Sequence, residues 1–222
     1  MIRVKICCIS SVEEAQFAIK YGASALGLVS EMPSGPGVIS DSLIAEIASK
    51  VPPSVATFLL TSKQSADEII FQHSKTNTNT LQLVDYVAPN ELTKLKQKLP
   101  AIKLVQVIHI LDQSSFDEAK SVQHFVDALL LDSGNPKLKV KELGGTGRTH
   151  NWDISKRIVE KVRIPVFLAG GLDIENVDEA IKTVRPFGLD ICSGVRLNGF
   201  LDEVKLNSFL RKVQYYNNIN FL

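Results

Sequence analysis

The sequence carries no excess of charge of either sign and no long apolar run. Its 222 residues include 25 Lys and Arg against 24 Asp and Glu, which gives a formal net charge of +1. Nucleic-acid-binding surfaces are usually strongly positive, so this composition predicts no nucleic-acid partner. No apolar run approaches the roughly 20 residues that cross a bilayer, and the first residues lack the pattern of a secretory signal. We therefore expect no membrane partner and a cytoplasmic protein.

Cysteine and histidine are also scarce. The three cysteines, Cys7, Cys8 and Cys192, form neither the even set of a disulfide framework nor a C-x-x-C pair. The four histidines have no ligand spacing to one another or to the cysteines. Two of them, His73 and His124, fall in helical patterns and are expected to be solvated. We predict free thiols and no bound metal.

What the sequence does have is a regular alternation of short apolar runs with longer amphipathic segments. The apolar runs lack strict alternation of polar and apolar residues, which is typical of strands buried on both faces of a parallel sheet. The eight predicted strands are Val4–Cys7, Ala25–Val29, Ser54–Leu60, Thr80–Val84, Lys103–Ile108, Ala128–Asp132, Pro165–Ala169 and Leu189–Ser193. Eight βα units without a linker favour an α/β fold with a single (β/α)8 TIM barrel over residues 1–222, rather than an open doubly wound sheet.

The helices between these strands have recognisable starts. Three begin with serine and glutamate at capping-box spacing, where a hydroxyl and a carboxylate satisfy free amides. The pairs are Ser11 with Glu14, Ser65 with Glu68, and Ser115 with Glu118. The other five helices are predicted at Ser42–Lys50, Asn90–Leu99, Asp153–Val162, Ile174–Val184 and Leu201–Tyr215.

On a barrel of this kind the functional groups lie on the loops that follow the C-terminal ends of the strands. Several of those turns are rich in glycine, and their backbone N–H groups bind phosphate when a helix N-terminus lies behind them. The candidate phosphate-binding residues are Gly145, Gly170, Gly171, Ser193 and Gly194. The alternative is that these glycines only form tight turns, with residues 144–147 an ordinary surface loop.

Five segments carry a resemblance to a known family. They are Val4–Cys7, Leu129–Asp132, Gly144–Thr149 with Trp152 close behind, Leu168–Leu172 and Asp190–Val195. In this order and register the chain resembles phosphoribosylanthranilate isomerase, a family of the tryptophan pathway, over nearly its whole length. Five such segments at the ends of the predicted strands are far more specific than a single glycine motif.

The resemblance implies an Amadori rearrangement of an aminoaldose to an aminoketose on a (β/α)8 barrel, without a metal or an organic cofactor. In the family, the cysteine that matches Cys7 is the general base and the aspartate that matches Asp132 is the general acid. The helix predicted after Ser11 would favour a thiolate at Cys7, and the apolar residues before Asp132 would raise the pKa of its carboxyl group. Taken alone, Cys7 also fits a buried structural thiol and Asp132 a solvated loop residue.

The chain departs from the family pattern near the predicted cavity. The family has Gly where this chain has Cys8, and Gln-Leu-His-Gly where this chain has residues 82–85. Family members also carry a basic residue that binds the substrate carboxylate, and the expected arginine falls at about Gly37. We therefore interpret Arg196 as the candidate carboxylate-binding residue. A second candidate is the basic segment with Lys137, Lys139 and Lys141, although a solvated loop is the simpler interpretation.

Three functions remain open at this point. The leading one is the family's isomerase activity on a small phosphorylated sugar. Losing the partner of a buried carboxylate costs on the order of 2–5 kcal/mol, so a divergent isomerase acting on another phosphorylated aminosugar is the close alternative. A non-catalytic barrel that binds a phosphate ligand is the third, and intact Cys7 and Asp132 argue against it. Either a monomer or a homodimer is compatible with the sequence.

Barrel closure makes a separate prediction about the cysteines, because it brings the first and eighth strands together. Cys192 should then lie close to Cys7 and Cys8, within range for a disulfide to either of them. The alternative is that Cys8 and Cys192 are inert core residues. His109, at the end of the fifth strand, either faces the cavity or is a hydrogen-bonded structural residue, which is the more common case.

Overall fold

The computed structural model describes residues 1–219, and they form a closed barrel of eight parallel strands surrounded by helices. The strands are β1 Arg3–Ile6, β2 Ala25–Val29, β3 Ala56–Thr61, β4 Thr80–Leu83, β5 Lys103–His109, β6 Ala128–Asp132, β7 Val166–Leu168 and β8 Gly188–Ile191. The barrel closes where β1 pairs with β8, with Ile6 opposite Ile191. The predicted (β/α)8 barrel is confirmed. Residues 220–222 of the predicted domain lie outside the described residues.

The barrel strands are apolar on both faces because one face fills the barrel interior and the other packs against the helices. On β6, Ala128 and Leu130 belong to the interior cluster, whereas Leu129 and Leu131 belong to the cluster under the helices. Burial of each leucine contributes roughly 1.5–3 kcal/mol. The same alternation makes Asp132 the next interior residue, so the strand ends with a carboxyl group at the mouth of the barrel.

Eight helices pack around the barrel. They are α1 Val12–Lys20, α2 Asp41–Lys50, α3 Ala66–Thr76, α4 Pro89–Lys98, α5 Ser114–Val122, α6 Trp152–Lys161, α7 Val177–Val184 and α8 Glu203–Ile219. The predicted cap of α1 is present: the Ser11 hydroxyl accepts a hydrogen bond from the Glu14 amide, and the Glu14 carboxylate accepts one from the Ser10 amide. No helix among those described is long and apolar enough to cross a membrane.

The predicted cap at Ser115 is wrong. Helix α5 begins one residue earlier, at Ser114, and Ser115 is a buried residue of its first turn. The Ser115 hydroxyl donates a hydrogen bond to the carbonyl of His109 and accepts one from the Leu111 amide. The side chain therefore ties the end of β5 to the helix instead of capping it.

Two predictions on α3 also need correction. Ser65 is at the N-cap, but its side chain makes no capping hydrogen bond; the Ala66 amide donates to the Glu91 carboxylate of the next helix instead. His73, which was expected to be solvated, is buried, with its Nε2 atom 2.7 Å from the carbonyl oxygen of Thr78. The predicted exposure of His124 agrees with the structure.

The chain after the barrel differs most from the prediction. Strand β8 ends at Ile191 instead of Ser193, and Ser193–Val195 form one turn of 3-10 helix. A short antiparallel hairpin follows, with β9 at Arg196–Leu197 and β10 at Phe200–Leu201. The sequence predicts that the last helix begins at Leu201, but that residue belongs to β10 and α8 begins at Glu203. Strands of two residues are too short to show a hydrophobic period.

Candidate active site

A cavity opens at the C-terminal ends of the barrel strands, where the sequence predicts the functional groups. Most of the predicted site residues line it: Cys7, Asp132, Gly145, Gly170, Gly171 and Ser193. Gly194 and Arg196 are not part of its wall. The structure therefore brings the predicted acid, the predicted base and four of the five predicted phosphate-binding residues to one place.

Asp132 contributes a buried carboxyl group to this cavity. One carboxylate oxygen, Oδ1, accepts a hydrogen bond of 2.7 Å from the Ser133 amide. The other, Oδ2, lies beside Gly144, where a Cβ atom would come within 2.7 Å of it. Burial raises the pKa of Asp132, although the Ser133 amide and the nearby His109 oppose the shift. A carboxyl group with a raised pKa holds a proton at a pH where an exposed aspartate has lost it.

Cys7 follows the last residue of β1 and points into the barrel. Its amide donates a hydrogen bond of 2.8 Å to the Ile191 carbonyl, so its backbone still follows the pairing of β1 with β8. Its Sγ atom lies 2.8 Å from the position that a Cβ atom would take on Gly27. Glycine at that position in β2 thus leaves room for the sulfur. The N-terminus of α1 follows five residues later, as predicted.

A buried ion pair that was not predicted from the sequence lies at the cavity, with Asp190 in the cavity wall. The Lys5 ammonium is 2.8 Å from the Asp190 carboxylate, and the Lys5 side chain is fully buried. Burial opposes the charged form, but Asp190 raises the pKa of Lys5, so the lysine is cationic. The sequence contains a signal that Lys5 faces the cavity. Lys5 lies two positions before Cys7, and residues two apart in a strand point to the same face.

Gln82 is a second residue that sequence analysis did not single out as functional. It is buried on β4 and lines the cavity. Its Oε1 atom has no hydrogen-bond partner in the part of the chain that the structure describes. A buried amide oxygen that faces a cavity is well placed to accept a hydrogen bond from a ligand.

Glycine turns form another part of the cavity wall. Gly170 and Gly171 have φ values of 80° and 59°, and a Cβ atom on Gly171 would lie 2.6 Å from the backbone of Arg148. A Cβ atom on Gly194 would lie 2.1 Å from the Leu172 carbonyl oxygen. Gly194 therefore holds the turns after β7 and β8 against each other from outside the cavity. Burial lowers the pKa of His150, beside Gly170, to about 4, so that imidazole is neutral.

Comparison with known proteins agrees with this geometry. The family model for N-(5'phosphoribosyl)anthranilate (PRA) isomerase matches residues 4–212. The chain belongs to the phosphoribosylanthranilate isomerase family. It is 35% identical over 215 residues to N-(5'-phosphoribosyl)anthranilate isomerase 2 of Methanosarcina mazei, which covers 96% of this chain and 94% of that relative. The predicted family is confirmed.

Two solved structures of phosphoribosylanthranilate isomerases share the fold. One is a complex with reduced 1-(o-carboxyphenylamino)-1-deoxyribulose 5-phosphate, with a TM-score of 0.81 and 26% identity. The other is of monomers generated from the dimeric isomerase of Thermotoga maritima, with a TM-score of 0.81 and 25% identity. Each match covers 97% of this chain and 100% of the other.

Compared with the family pattern, this phosphoribosylanthranilate isomerase homologue has a different arrangement around the expected carboxylate site. The Arg196 guanidinium is bound to the Glu14 carboxylate at 3.0 and 3.1 Å and donates to the carbonyls of Cys7 and Cys8. Its side chain is 8% exposed. Arg196 thus links β9 to the start of α1, and its positive charge is paired with the Glu14 carboxylate.

The other predicted cations also lie outside the cavity wall. Lys141 is paired with Asp85, and Lys137 and Lys139 do not line the cavity. Within residues 1–219, no lysine or arginine is among the lining residues. At Gly37, where the family pattern places an arginine, a Cβ atom would lie 2.5 Å from the Cβ atom of Cys8. Cys8 therefore fills the space that a side chain at position 37 would need.

His109 takes the structural role. It is buried, and its Nε2 atom is 3.0 Å from the Val84 carbonyl oxygen. It lines a different pocket, beside α5, and not the cavity that holds Cys7 and Asp132. The described residues contain no group of three or more His, Cys, Asp or Glu suited to a metal ion.

Proposed function

We propose that this chain catalyses the isomerisation of N-(5-phosphoribosyl)anthranilate to 1-(o-carboxyphenylamino)-1-deoxyribulose 5-phosphate in tryptophan biosynthesis. The observation that carries the proposal is that a buried carboxyl group and a thiol share one cavity whose wall also contains glycine turns. An aldose–ketose isomerisation of this kind needs one group that gives a proton and another that takes one. Asp132 and Cys7 supply these two groups.

Ring opening is the first step. Asp132 donates its proton to the furanose ring oxygen, the bond from that oxygen to C1 breaks, and the nitrogen lone pair forms an iminium with C1. The proton is carried on Oδ2, because Oδ1 already accepts the hydrogen bond from the Ser133 amide. Burial supports this role, since it raises the pKa of Asp132 and keeps the acid form populated.

Proton abstraction is the second step. Cys7, as the general base, takes the proton from C2. The C–H electrons form a double bond between C1 and C2 while the π electrons of the C1–N bond return to nitrogen, which gives an enolamine. The enolamine then tautomerises to the ketone, with a proton added at C1 and a proton lost from the hydroxyl oxygen on C2. Substrate and product have the same atoms, so the step needs no oxidant or reductant.

The glycine turns hold the phosphate end of the substrate in this proposal. Gly170, Gly171 and Ser193 line the cavity, and Ser193 begins a helical turn. Backbone N–H groups in such turns bind phosphate without a positively charged side chain. Gly145, on the loop that crosses the cavity, supplies a further amide.

Turnover of the substrate tests the proposal. Freshly prepared N-(5-phosphoribosyl)anthranilate is incubated with purified protein, and loss of the anthranilate-type fluorescence is followed while the product is identified by its mass and its ketone signal. Enzyme-dependent conversion supports the proposal. Phosphate-ligand binding without conversion would contradict it and favour a non-catalytic binding barrel.

One observation favours a second candidate, a divergent isomerase that acts on another phosphorylated aminosugar. The substrate carboxylate would have no lysine or arginine beside it in the described cavity wall. The same acid and base would then act on an aminosugar whose aglycone has no carboxylate. The two candidate functions are separated by comparing kcat/KM for phosphoribosylanthranilate with kcat/KM for its decarboxylated aniline analogue. Only an enzyme that binds the carboxylate prefers phosphoribosylanthranilate.

The cellular setting belongs to the same proposal. A cytoplasmic location fits the place of this family in an amino-acid biosynthetic pathway. The partner is a small phosphorylated sugar, and either a monomer or a homodimer is compatible with this barrel. Light scattering distinguishes them, since the monomer mass is 24.4 kDa.

A further inference from the structure

Two cysteine sulfurs with no part in the proposed reaction meet at the wall of the cavity. The Sγ atoms of Cys8 and Cys192 lie 2.8 Å apart, although the residues are 184 positions apart in the sequence. They come together because Cys8 follows β1 and Cys192 follows β8, the two strands that close the barrel. Both line the cavity; Cys8 is buried, and Cys192 is partly exposed.

The backbone at Cys8 turns its side chain toward Cys192. In a continuing strand, the residue after the inward-facing Cys7 would point outward, as Ile6 does. Instead Cys8 has φ 62°, in the left-handed region that residues other than glycine rarely adopt, and it belongs to the interior cluster. Gly37 makes room for it, since a Cβ atom there would lie 2.5 Å from the Cys8 Cβ atom. The left-handed backbone of Cys8 and the space left by Gly37 thus together position the Cys8 side chain.

The Cys7 sulfur points to the other neighbour of β1. It packs against Gly27 on β2, whereas the Cys8 sulfur packs against Cys192 after β8. The hydrogen bond with Cys192 raises the pKa of the Cys8 thiol most, and the one with Cys7 raises it further. Of these two pairs, Cys8 with Cys192 is the one that joins the ends of β1 and β8.

We propose that Cys8 and Cys192 form a dithiol site that reacts with low-molecular-weight disulfides and closes reversibly into a disulfide, leaving Cys7 as a free thiol. One thiolate attacks the small disulfide, forms a mixed disulfide and expels one small thiolate. The second thiolate then attacks the protein sulfur and expels the other. Two protein thiols are oxidised, one small disulfide is reduced to two thiols, and these take up the two protons.

Cys192 is the residue that attacks first. It is the more exposed of the pair, so a small disulfide reaches it from the cavity. The hydrogen bond with Cys8 lowers the pKa of Cys192, and the Arg196 guanidinium lowers it further, while burial opposes both. The hydrogen bonds with Cys192 and Cys7 raise the pKa of Cys8, and burial raises it further, which fits the thiol that reacts second.

A disulfide-mapping experiment tests the proposal without any assay of turnover, so its outcome is independent of the proposed function. The full-length protein is reduced, desalted and incubated with oxidised glutathione, and the remaining thiols are blocked with N-ethylmaleimide under denaturing conditions. Trypsin then releases residues 6–20, which hold Cys7 and Cys8, and residues 183–196, which hold Cys192. We expect these two peptides to be linked, with two of the three thiols lost and both restored by dithiothreitol.

Fragment ions that separate position 7 from position 8 locate the link in the wild-type protein and require no variant. The expected spectrum has N-ethylmaleimide on Cys7 and the disulfide on Cys8. A disulfide between Cys7 and Cys8, a link from Cys7 to Cys192, or a glutathione adduct that never closes would each overturn the proposal.

Serine variants provide the matched comparison. Cys7→Ser should keep the link between the two peptides, because its sulfur is not one of the pair. Cys8→Ser should lose the link and retain glutathione on Cys192, because the second thiol is gone. A link that persists in Cys8→Ser and disappears in Cys7→Ser would assign the pair to Cys7 and overturn the proposal.

Discussion

At the scale of the residue, burial of Asp132 raises the pKa of its carboxyl group at the expense of stability. The fold buries the carboxyl group and gives it one backbone donor, the Ser133 amide, so burial raises its pKa. The protonated form is therefore favoured in the folded state more than in the unfolded chain. As the pH rises from the unfolded pKa through the folded pKa, the unfolded state loses its proton first and the folded protein loses stability.

Asp132→Asn should therefore stabilise the protein while removing the acid. Asparagine keeps an oxygen that accepts from the Ser133 amide, but it cannot ionise. We expect the variant to have a higher Tm than the wild type at pH 8, and the difference to shrink as the pH falls toward 4. Thermal unfolding of both proteins across that range measures it. A wild type that is the more stable protein at pH 8 would contradict a raised pKa at Asp132.

Arg196 gives a prediction of the opposite kind, because its charge supports the structure and not the substrate. Arg196→Ala leaves Glu14 without its partner and should lower the free energy of unfolding by about 1.5–3 kcal/mol. Its effect on KM should be the same for phosphoribosylanthranilate and for the decarboxylated analogue. Urea unfolding and steady-state kinetics measure the two quantities. A rise in KM for the carboxylate-bearing substrate alone would contradict this prediction and show that Arg196 binds the carboxylate.

At the scale of the element, two loops meet over the cavity. The β2α2 loop, residues 30–40, and the β6α6 loop, residues 133–151, are joined by a hydrogen bond from the Ser34 hydroxyl to the Lys141 carbonyl. A Cβ atom on Gly145 would lie 2.4 Å from the Pro36 ring. The sequence identifies both loops as polar and glycine-rich, but it does not show that one packs on the other, since that contact joins positions more than 100 apart.

Gly145→Ala should separate the two loops. The added methyl group meets the Pro36 ring, and inserting one into a packed site costs roughly 1–3 kcal/mol. We expect KM to rise by about tenfold, with a smaller change in Tm. Gly199→Ala is the matched control, because Gly199 also has a positive φ but its Cβ atom would have nothing within 4 Å. Equal effects of the two variants on KM would show that backbone strain, and not the loop contact, is responsible.

The β2α2 loop also contains Gly37, the position where the family pattern places an arginine that binds the substrate carboxylate. Gly37→Arg alone should place its Cβ atom 2.5 Å from the Cβ atom of Cys8. Adding Cys8→Gly removes that contact and leaves the Cα atom of residue 8 at 3.0 Å, and the double variant adds a cation at a position with φ 77°. Relative to Cys8→Gly, the double variant should lower KM for phosphoribosylanthranilate by about tenfold, since a hydrogen bond to a charged group contributes roughly 1.5–3 kcal/mol. KM for the decarboxylated analogue should not change. An equal decrease in KM for both substrates would mean that the new arginine does not bind the carboxylate.

At the scale of the whole molecule, the barrel could be predicted from the sequence because all eight strands are apolar and all eight are followed by a helix. The same regularity placed Cys7 and Asp132 at the C-terminal ends of β1 and β6, where both line one cavity. The details that escaped prediction depend on contacts between distant residues. The buried Lys5 with Asp190 is one, and the pairing of Arg196 with Glu14 is another. The left-handed backbone at Cys8 is a third, because nothing local in the sequence requires it.

The central claim is that Cys7 and Asp132 act as base and acid in one cavity of a phosphoribosylanthranilate isomerase. The most direct test measures kcat for phosphoribosylanthranilate in the wild type, in Cys7→Ala and in Asp132→Asn, together with the Kd of each protein for the reduced product analogue. General acid and base groups typically contribute 10²- to 10⁴-fold, so we predict that each variant loses at least about 10²-fold in kcat while its Kd changes by only a few-fold. Near-wild-type turnover in either variant, or a loss explained entirely by weaker binding, would contradict the account.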